Sequence, residues 1–226
     1  KPGISGAELE KAAREMVAED GDTLAFYGYK SKKDKHGFPS GLCLSVNDII
    51  VHSPAGQTGA VIEEGDVVCI DFGIKHNGLF TDHAATVIAG APKSADDERL
   101  VKGTYEALAA GIAAAKVGGA TGDIGHAVEE IAKKYHFGFP RNLSGHGVGL
   151  HVHEEPHVPN YGDPGEGETL VEGLVIAIEP MMTLGSGDLF VDDDGHSYRT
   201  KDGSRSAHAE HTVLLTKKGP ETLTKE

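Results

Sequence analysis

The 226-residue chain has no tryptophan, two cysteines and three methionines, and aromatic side chains make up 6% of it. Cys43 and Cys69 sit in apolar runs, too few for a disulfide framework and not spaced for zinc, so they read as buried free thiols in a reducing cytoplasm. Positive charge is also scarce: 21 Lys and Arg stand against 35 Asp and Glu, a formal net charge of -14. Such a field repels phosphate backbones and anionic lipid, which excludes specific nucleic-acid binding and a membrane-surface role and favours a cationic group or a peptide amine as substrate. No apolar run approaches a membrane span, and Lys-Pro-Gly does not open a signal sequence, so a soluble intracellular protein is expected. The length suits a single domain over residues 1–226.

What the chain does have is a repeat. Glu64-Gly65-Asp66-Val67-Val68-Cys69-Ile70-Asp71 returns as Glu172-Gly173-Leu174-Val175-Ile176-Ala177-Ile178-Glu179, a carboxylate closing each apolar run six residues after the glycine. Asp82-His83-Ala84-Ala85-Thr86-Val87 corresponds to Glu210-His211-Thr212-Val213-Leu214-Leu215. Gly37-Phe38-Pro39 is followed fifteen residues on by His52, and Gly138-Phe139-Pro140 at the same interval by His153. One duplication, with halves of about 1–110 and 111–226, accounts for all three matches, and packing about a pseudo-two-fold would bring four carboxylates to a common axis.

Three helices are expected. Ser5 with Glu8 forms a capping box ahead of Leu9, Ala12, Ala13 and Met16. A second helix starts near Ser94 and carries Leu100, Thr104, Leu108 and Ile112, and a third starts at Thr121 with Ile124, Ala127, Val128 and Ile131. Strands are expected around 41–51, 67–74, 80–88, 146–152, 174–181 and 209–216, with His76-Asn77-Gly78 turning a hairpin that sets Asp71 opposite Asp82. Lys30 to His36 and Asn160 to Glu168 read as surface turns.

Adding His146, in the flexible-looking run Ser144-Gly145-His146-Gly147-Val148-Gly149, to Asp71, Asp82, Glu179 and Glu210 gives four carboxylates and one imidazole. Four carboxylates at one site raise one another's pKa until protons or cations neutralise them. Two divalent ions do so, and such a pair can activate a bridging water for hydrolysis. Oxygen-rich ligation with one histidine leaves Mn, Fe, Co and Zn open.

These motifs resemble the methionine aminopeptidases of the duplicated pita-bread metallopeptidases. The resemblance rests on Ile70-Asp71-Phe72-Gly73, Thr81-Asp82, the Gly-His-Gly run around His146, His153-Glu154-Glu155-Pro156, Ile178-Glu179-Pro180-Met181 and Ala209-Glu210-His211-Thr212, and it covers nearly the whole chain. It implies an α+β fold of two pseudo-two-fold antiparallel sheets covered by helices, and removal of N-terminal methionine from nascent polypeptides through a metal-bridging water. The implied metal ligands are Asp71, Asp82, His146, Glu179 and Glu210, with Asp71 and Glu210 bridging. Glu179 would also be the base, His153 would donate to the scissile carbonyl, and His52 would contact the substrate near the scissile amide. Cys43, Phe38, Val152 and His196 would line the substrate pocket, with Tyr27 and Tyr29 less securely aligned. His151 and His157 read as rim residues.

The chain departs from the family at Gly73, where type I enzymes usually carry threonine, and at Val152 and His196, where aromatic residues are usual. Aligned on the family, it opens at the family's second helix. The resemblance further implies a monomer in the cytoplasm, with Lys32-Lys33-Asp34-Lys35 as a candidate for transient ribosome contact. Two alternatives stand beside it. An Xaa-Pro aminopeptidase or dipeptidase of the same fold usually shows Glu-Pro-Gly where this chain has Glu179-Pro180-Met181, and a non-catalytic binding relative would lose ligands that are all present here.

Overall fold

The computed structural model describes residues 1–30, 36–57, 59 and 61–225; the Lys32 to Lys35 run lies outside the described residues. Each repeated apolar run is the centre of a sheet. Val67–Asp71 lies between Cys43–Val46 and Ala84–Ile88, all antiparallel. Its counterpart Val175–Ile178 lies between Ser144–Gly147 and His211–Thr216, and Glu154–Pro159 and Gly219–Thr222 extend this second sheet to five strands.

The halves join where equivalent strands meet. Asp82 N donates to the Thr212 hydroxyl (2.9 Å), that hydroxyl donates to the Asp82 carbonyl (2.7 Å), and Glu210 N donates to the Ala84 carbonyl (2.9 Å). Asp82 matches Glu210 and Ala84 matches Thr212 in the repeat, so contacts made by one half are returned by the other, as a pseudo-two-fold requires. The copies differ in register. Asp71 pairs with Ala84, two residues past Asp82, so the hairpin does not set the two aspartates directly opposite. Ile178 pairs with His211, which leaves Glu179 and Glu210 side by side at the strand ends.

Several long strands expected from sequence are interrupted, and four of the five candidate ligands lie at the interruptions. The first run stops at Asp71. Ile74–His76 and Leu79–Thr81 then form a hairpin through Asn77 (φ 49°) and Gly78 (φ 90°), and the chain resumes as a core strand at Ala84. The positive φ at both turn residues is what an Asn-Gly hairpin turn requires. Glu179 stands between Val175–Ile178 and Met181–Thr183, and Glu210 between Ser206–His208 and His211–Thr216.

Helix α1, Gly6–Glu19, is capped as expected: Ser5 Oγ accepts from Glu8 N, and the Glu8 carboxylate accepts from Ser5 N. Its buried face runs through Leu9, Glu10, Ala13 and Val17, whereas Ala12 and Met16 are exposed, a rotation from the expected face. The cause is Glu10, whose carboxylate is drawn inward to accept from Ser40 Oγ and from the backbone N–H groups of Gly41 and Leu42. Helices α2, Ala95–Ala114, and α3, Thr121–Tyr135, present the expected faces. Leu108, Ile112 and Ile124 pack against Ile176, Ile178, Val213 and Leu215 of the five-stranded sheet. Each such fully buried aliphatic side chain contributes about 1.5–3 kcal/mol. Leu9 and Ala13 of α1 pack in the same way against Leu44 and Val68 of the first sheet, so helices cover both sheets and the strand ends form the site.

Candidate metal centre and substrate cavity

Asp82, His146 and Glu210 present ligand atoms that all lie within 4.8 Å of one another, and all three residues are buried. His146 Nε2 is 3.9 Å from Asp82 Oδ2 and 3.5 Å from Glu179 Oε1. Asp71 joins them from the central N-terminal strand, where Cys43 is its cross-strand partner. All five line one cavity of about 600 Å³.

The run around His146 is a strand rather than a flexible loop. A side chain at Gly145 would meet the Ala177 carbonyl at 2.3 Å, and one at Gly147 the Glu155 carbonyl at 2.2 Å, so the glycines let three strands approach closely. The register shifts between Gly145 and Gly147, which places His146 at a bulge, a device that re-aims a side chain beside a site.

Burial dominates the electrostatics. It pushes Asp71 up to about 6, with His208 opposing and Glu179 adding to the rise. It pushes Glu179 up to about 7, with His146 opposing. Asp82 and Glu210 are driven well above the carboxylate range by burial and then by the neighbouring carboxylates. Asp71 Oδ1 and Glu210 Oε1 are buried without a hydrogen-bond partner. Buried carboxylate oxygens in this state are stabilised by cations, and an oxygen-rich set with imidazole is the donor chemistry of Mn²⁺, Fe²⁺, Co²⁺ or Zn²⁺, so the residues fit divalent metal.

Both repeated histidines line the cavity. The His153 ring lies 4.4 Å from His146 and 4.9 Å from Tyr29, centroid to centroid. Burial first, then His146 and His52, lowers its pKa to about 3, so the ring is neutral and one nitrogen carries a proton to donate. His52 is held at φ 61°, a left-handed conformation that costs a non-glycine residue roughly 1–3 kcal/mol and is retained where the surroundings fix the side chain; its ring meets Tyr198 edge-on at 5.5 Å.

The wall includes Phe26, Tyr29, Phe38, Cys43, Met181 and His196, with Phe38 and His196 perpendicular at 5.5 Å. Val152 does not line it. That residue is buried with Ala25, Phe26 and Cys43, and so supports the wall from behind. Tyr27 is on the outer surface under the Arg14 guanidinium. His157 lines the cavity at its rim and bonds Ser144 Oγ (3.1 Å), while His151 is exposed outside it.

One residue at the centre was missed in the sequence. His208, 1% exposed, places Nε2 3.5 Å from Glu179 Oε2 and 3.8 Å from Glu210 Oε2. The alternation His208-Ala209-Glu210 puts both on one face of an extended segment, a signal that could have found it.

Comparison with known proteins agrees with this geometry. The model of metallopeptidase family M24 matches residues 1–217. The methionine aminopeptidase of Aquifex aeolicus is 46% identical over 226 residues, covering 99% of this chain and 87% of the relative. The crystal structure of the methionine aminopeptidase of Thermotoga maritima superposes with a TM-score of 0.94 at 39% identity, covering 100% of this chain and 87% of the other. The prolidase of Pyrococcus horikoshii, 24% identical with a TM-score of 0.73 and matched over 55% of its length, shares the fold. With a family match over nearly its whole length, the chain belongs to metallopeptidase family M24.

Proposed function

We propose that this chain removes the N-terminal methionine from polypeptides by metal-assisted hydrolysis. The observation that carries the reading is the intact, buried set Asp71, Asp82, His146, Glu179 and Glu210 at one cavity, in a chain similar throughout to proteins named methionine aminopeptidase. These five side chains would hold two divalent ions of Mn, Fe, Co or Zn. Bound there, the ions supply Lewis acidity and a water acidic enough to attack an amide near neutral pH. Asp82 and Glu210, equivalent residues of the repeat, would hold the ions from either side of the pseudo-two-fold.

The protein's own groups do the rest. Glu179 takes the proton from the attacking water and delivers it to the leaving amine. The neutral His153 donates its N–H to the carbonyl oxygen as charge develops there, and adds no positive charge beside the cations. His52 approaches the scissile amide from the opposite half. Phe38, Cys43 and His196 form the pocket for the methionine side chain, backed by Val152.

In this reading residues 1–226 are one catalytic domain, monomeric and acting on nascent chains in the cytoplasm. The buried free thiols Cys43 and Cys69 support the cytoplasmic part of this reading. The test is release of the first residue from Met-Ala-Ser and Ala-Pro-Ala peptides by protein stripped of metal and reloaded with each ion, with Asp82→Ala as control. Metal-dependent methionine release that Asp82→Ala abolishes is expected. Cleavage only before proline, or no cleavage with any ion, would overturn the assignment.

A further inference from the structure

His208 is held in place by its backbone. It closes the strand Ser206–His208, where it pairs with Met181 of the strand Met181–Thr183; its N–H donates to Thr86 Oγ1 (3.0 Å), and its carbonyl accepts from that hydroxyl (2.6 Å) and from Cys69 Sγ (3.6 Å). The ring has no such partners. Both nitrogens are buried and neither makes a hydrogen bond. An imidazole left in that state is destabilising unless a further partner takes up its nitrogens.

Its surroundings match those of the histidine on the other side of Glu179. His146 Nε2 stands 3.5 Å from Glu179 Oε1 and 3.9 Å from Asp82. His208 Nε2 stands 3.5 Å from the other oxygen, Glu179 Oε2, and 3.8 Å from Glu210 Oε2. Donors about 2.1 Å from a tetrahedral ion are themselves about 3.4 Å apart. The unpartnered buried atoms Asp71 Oδ1 and Glu210 Oε1 belong to the same cluster, with His208 close enough to Asp71 for their charges to interact.

From this juxtaposition of His208 with Glu179, Glu210 and Asp71 we infer that His208 is a second imidazole ligand of the metal centre, reaching it across Glu179 from His146. The inference rests on the two-ion reading above and adds a donor to it. A centre with two imidazole donors would favour cobalt and zinc over manganese more strongly than one with a single imidazole, because imidazole suits the later divalent metals.

The test uses the full chain labelled with ¹⁵N-histidine and titrated with zinc, reading imidazole nitrogens by long-range ¹H–¹⁵N correlation and ion uptake by calorimetry. Zinc is expected to shift the Nε2 resonances of both His146 and His208. His208→Gln is expected to weaken the second uptake step at least about 10-fold while leaving the first in place. Unfolding of that variant in chelator checks that it folds, and the wild-type spectra carry the test if it does not. A His208 ring unmoved by zinc that moves His146 would overturn the inference and leave the metallopeptidase reading standing. Absence of zinc uptake by the wild-type chain would overturn both.

Discussion

His83 and His211 stack across the junction of the two halves, ring centroids 4.7 Å apart and planes 14° from parallel. They are equivalent residues of the repeat, each following a candidate metal ligand, so the stack lies on the pseudo-two-fold. His83 Nδ1–H donates to the Glu210 carbonyl, and His211 Nδ1 pairs with Thr224 Oγ1 at 2.9 Å. Burial lowers both pKa values, that of His211 to about 4, with His208 adding to the fall at His83 and His83 adding to the fall at His211.

These depressed values set an acid limit on stability. A histidine that resists protonation in the folded state binds fewer protons than it does unfolded, so its contribution is complete above about pH 6.5 and is lost as pH falls toward about 4. Metal-loaded protein should therefore show a falling unfolding midpoint between pH 6.5 and 4. His211→Phe, which keeps an aromatic ring in the stack, should flatten that slope in thermal melts; an unchanged slope would assign the acid sensitivity elsewhere.

Stripping metal should superimpose a dependence of opposite sign. Asp71 at about 6 and Glu179 at about 7 hold protons in the folded state that the unfolded chain has released, so each weakens the metal-free fold as pH rises from about 4 to about 7. Loading the centre removes this loss, since ligating carboxylates are already deprotonated. The gap in melting temperature between loaded and chelated protein should widen with pH, reaching roughly 10 °C by pH 8. Calorimetry in buffers of different ionisation heat should register proton release on metal uptake.

Glu10 is the corresponding test away from the centre. Burial raises its pKa, but hydrogen bonds from Gly41 N–H, the Ser40 hydroxyl and Leu42 N–H, with the Arg14 charge, outweigh this and leave it lowered. It fixes residues 40–42, the lead-in to Cys43 and the cavity wall. Glu10→Gln should cost about 1–3 kcal/mol in urea titrations at pH 7. The difference from wild type should shrink as pH falls through the folded-state pKa, because a depressed carboxylate contributes only while ionised.

The roles given to Glu179 and His153 separate kinetically. Glu179→Gln should lower kcat by about 10²–10⁴-fold with KM little changed, as loss of a general base predicts. His153→Ala should lower kcat by about 10²–10³-fold, as removal of one oxyanion donor does. Zinc content measured alongside distinguishes lost catalysis from lost metal; a Glu179→Gln variant with near-normal kcat would place the base elsewhere.

Much of this was legible because the repeat wrote it twice. The helix start at Ser5 is announced by a capping box, and the paired strand sequences single out the four carboxylates. What was illegible depended on tertiary position. Glu154–Pro159 contains two prolines and two glutamates and reads against a strand; it is one because it forms the edge of the five-stranded sheet, where a missing donor is tolerated. The rotated face of α1 follows from Glu10 finding donors some thirty residues away, which periodicity cannot see. His208 has no equivalent in the first half, so the repeat gave no signal for it.

Gly73 shows how a departure from the family can have a packing cause. A side chain there would meet Ala25 Cβ and Phe26 Cε1, both at 2.8 Å, closer than real Cβ contacts come. Both neighbours belong to the cluster behind the cavity wall, with Cys43 and Val152. The valine in place of a larger aromatic ring and the glycine in place of threonine are therefore parts of one wall, in which Phe26 occupies the space a threonine side chain would take. Restoring threonine alone should overpack it, costing about 1–3 kcal/mol in chemical denaturation and raising KM for methionyl peptides. Gly73→Thr combined with Phe26→Leu should recover much of that stability, because the second change frees the volume the first requires. Equal stability of the single variant and the wild type would show that the wall yields without cost and that the glycine has another origin.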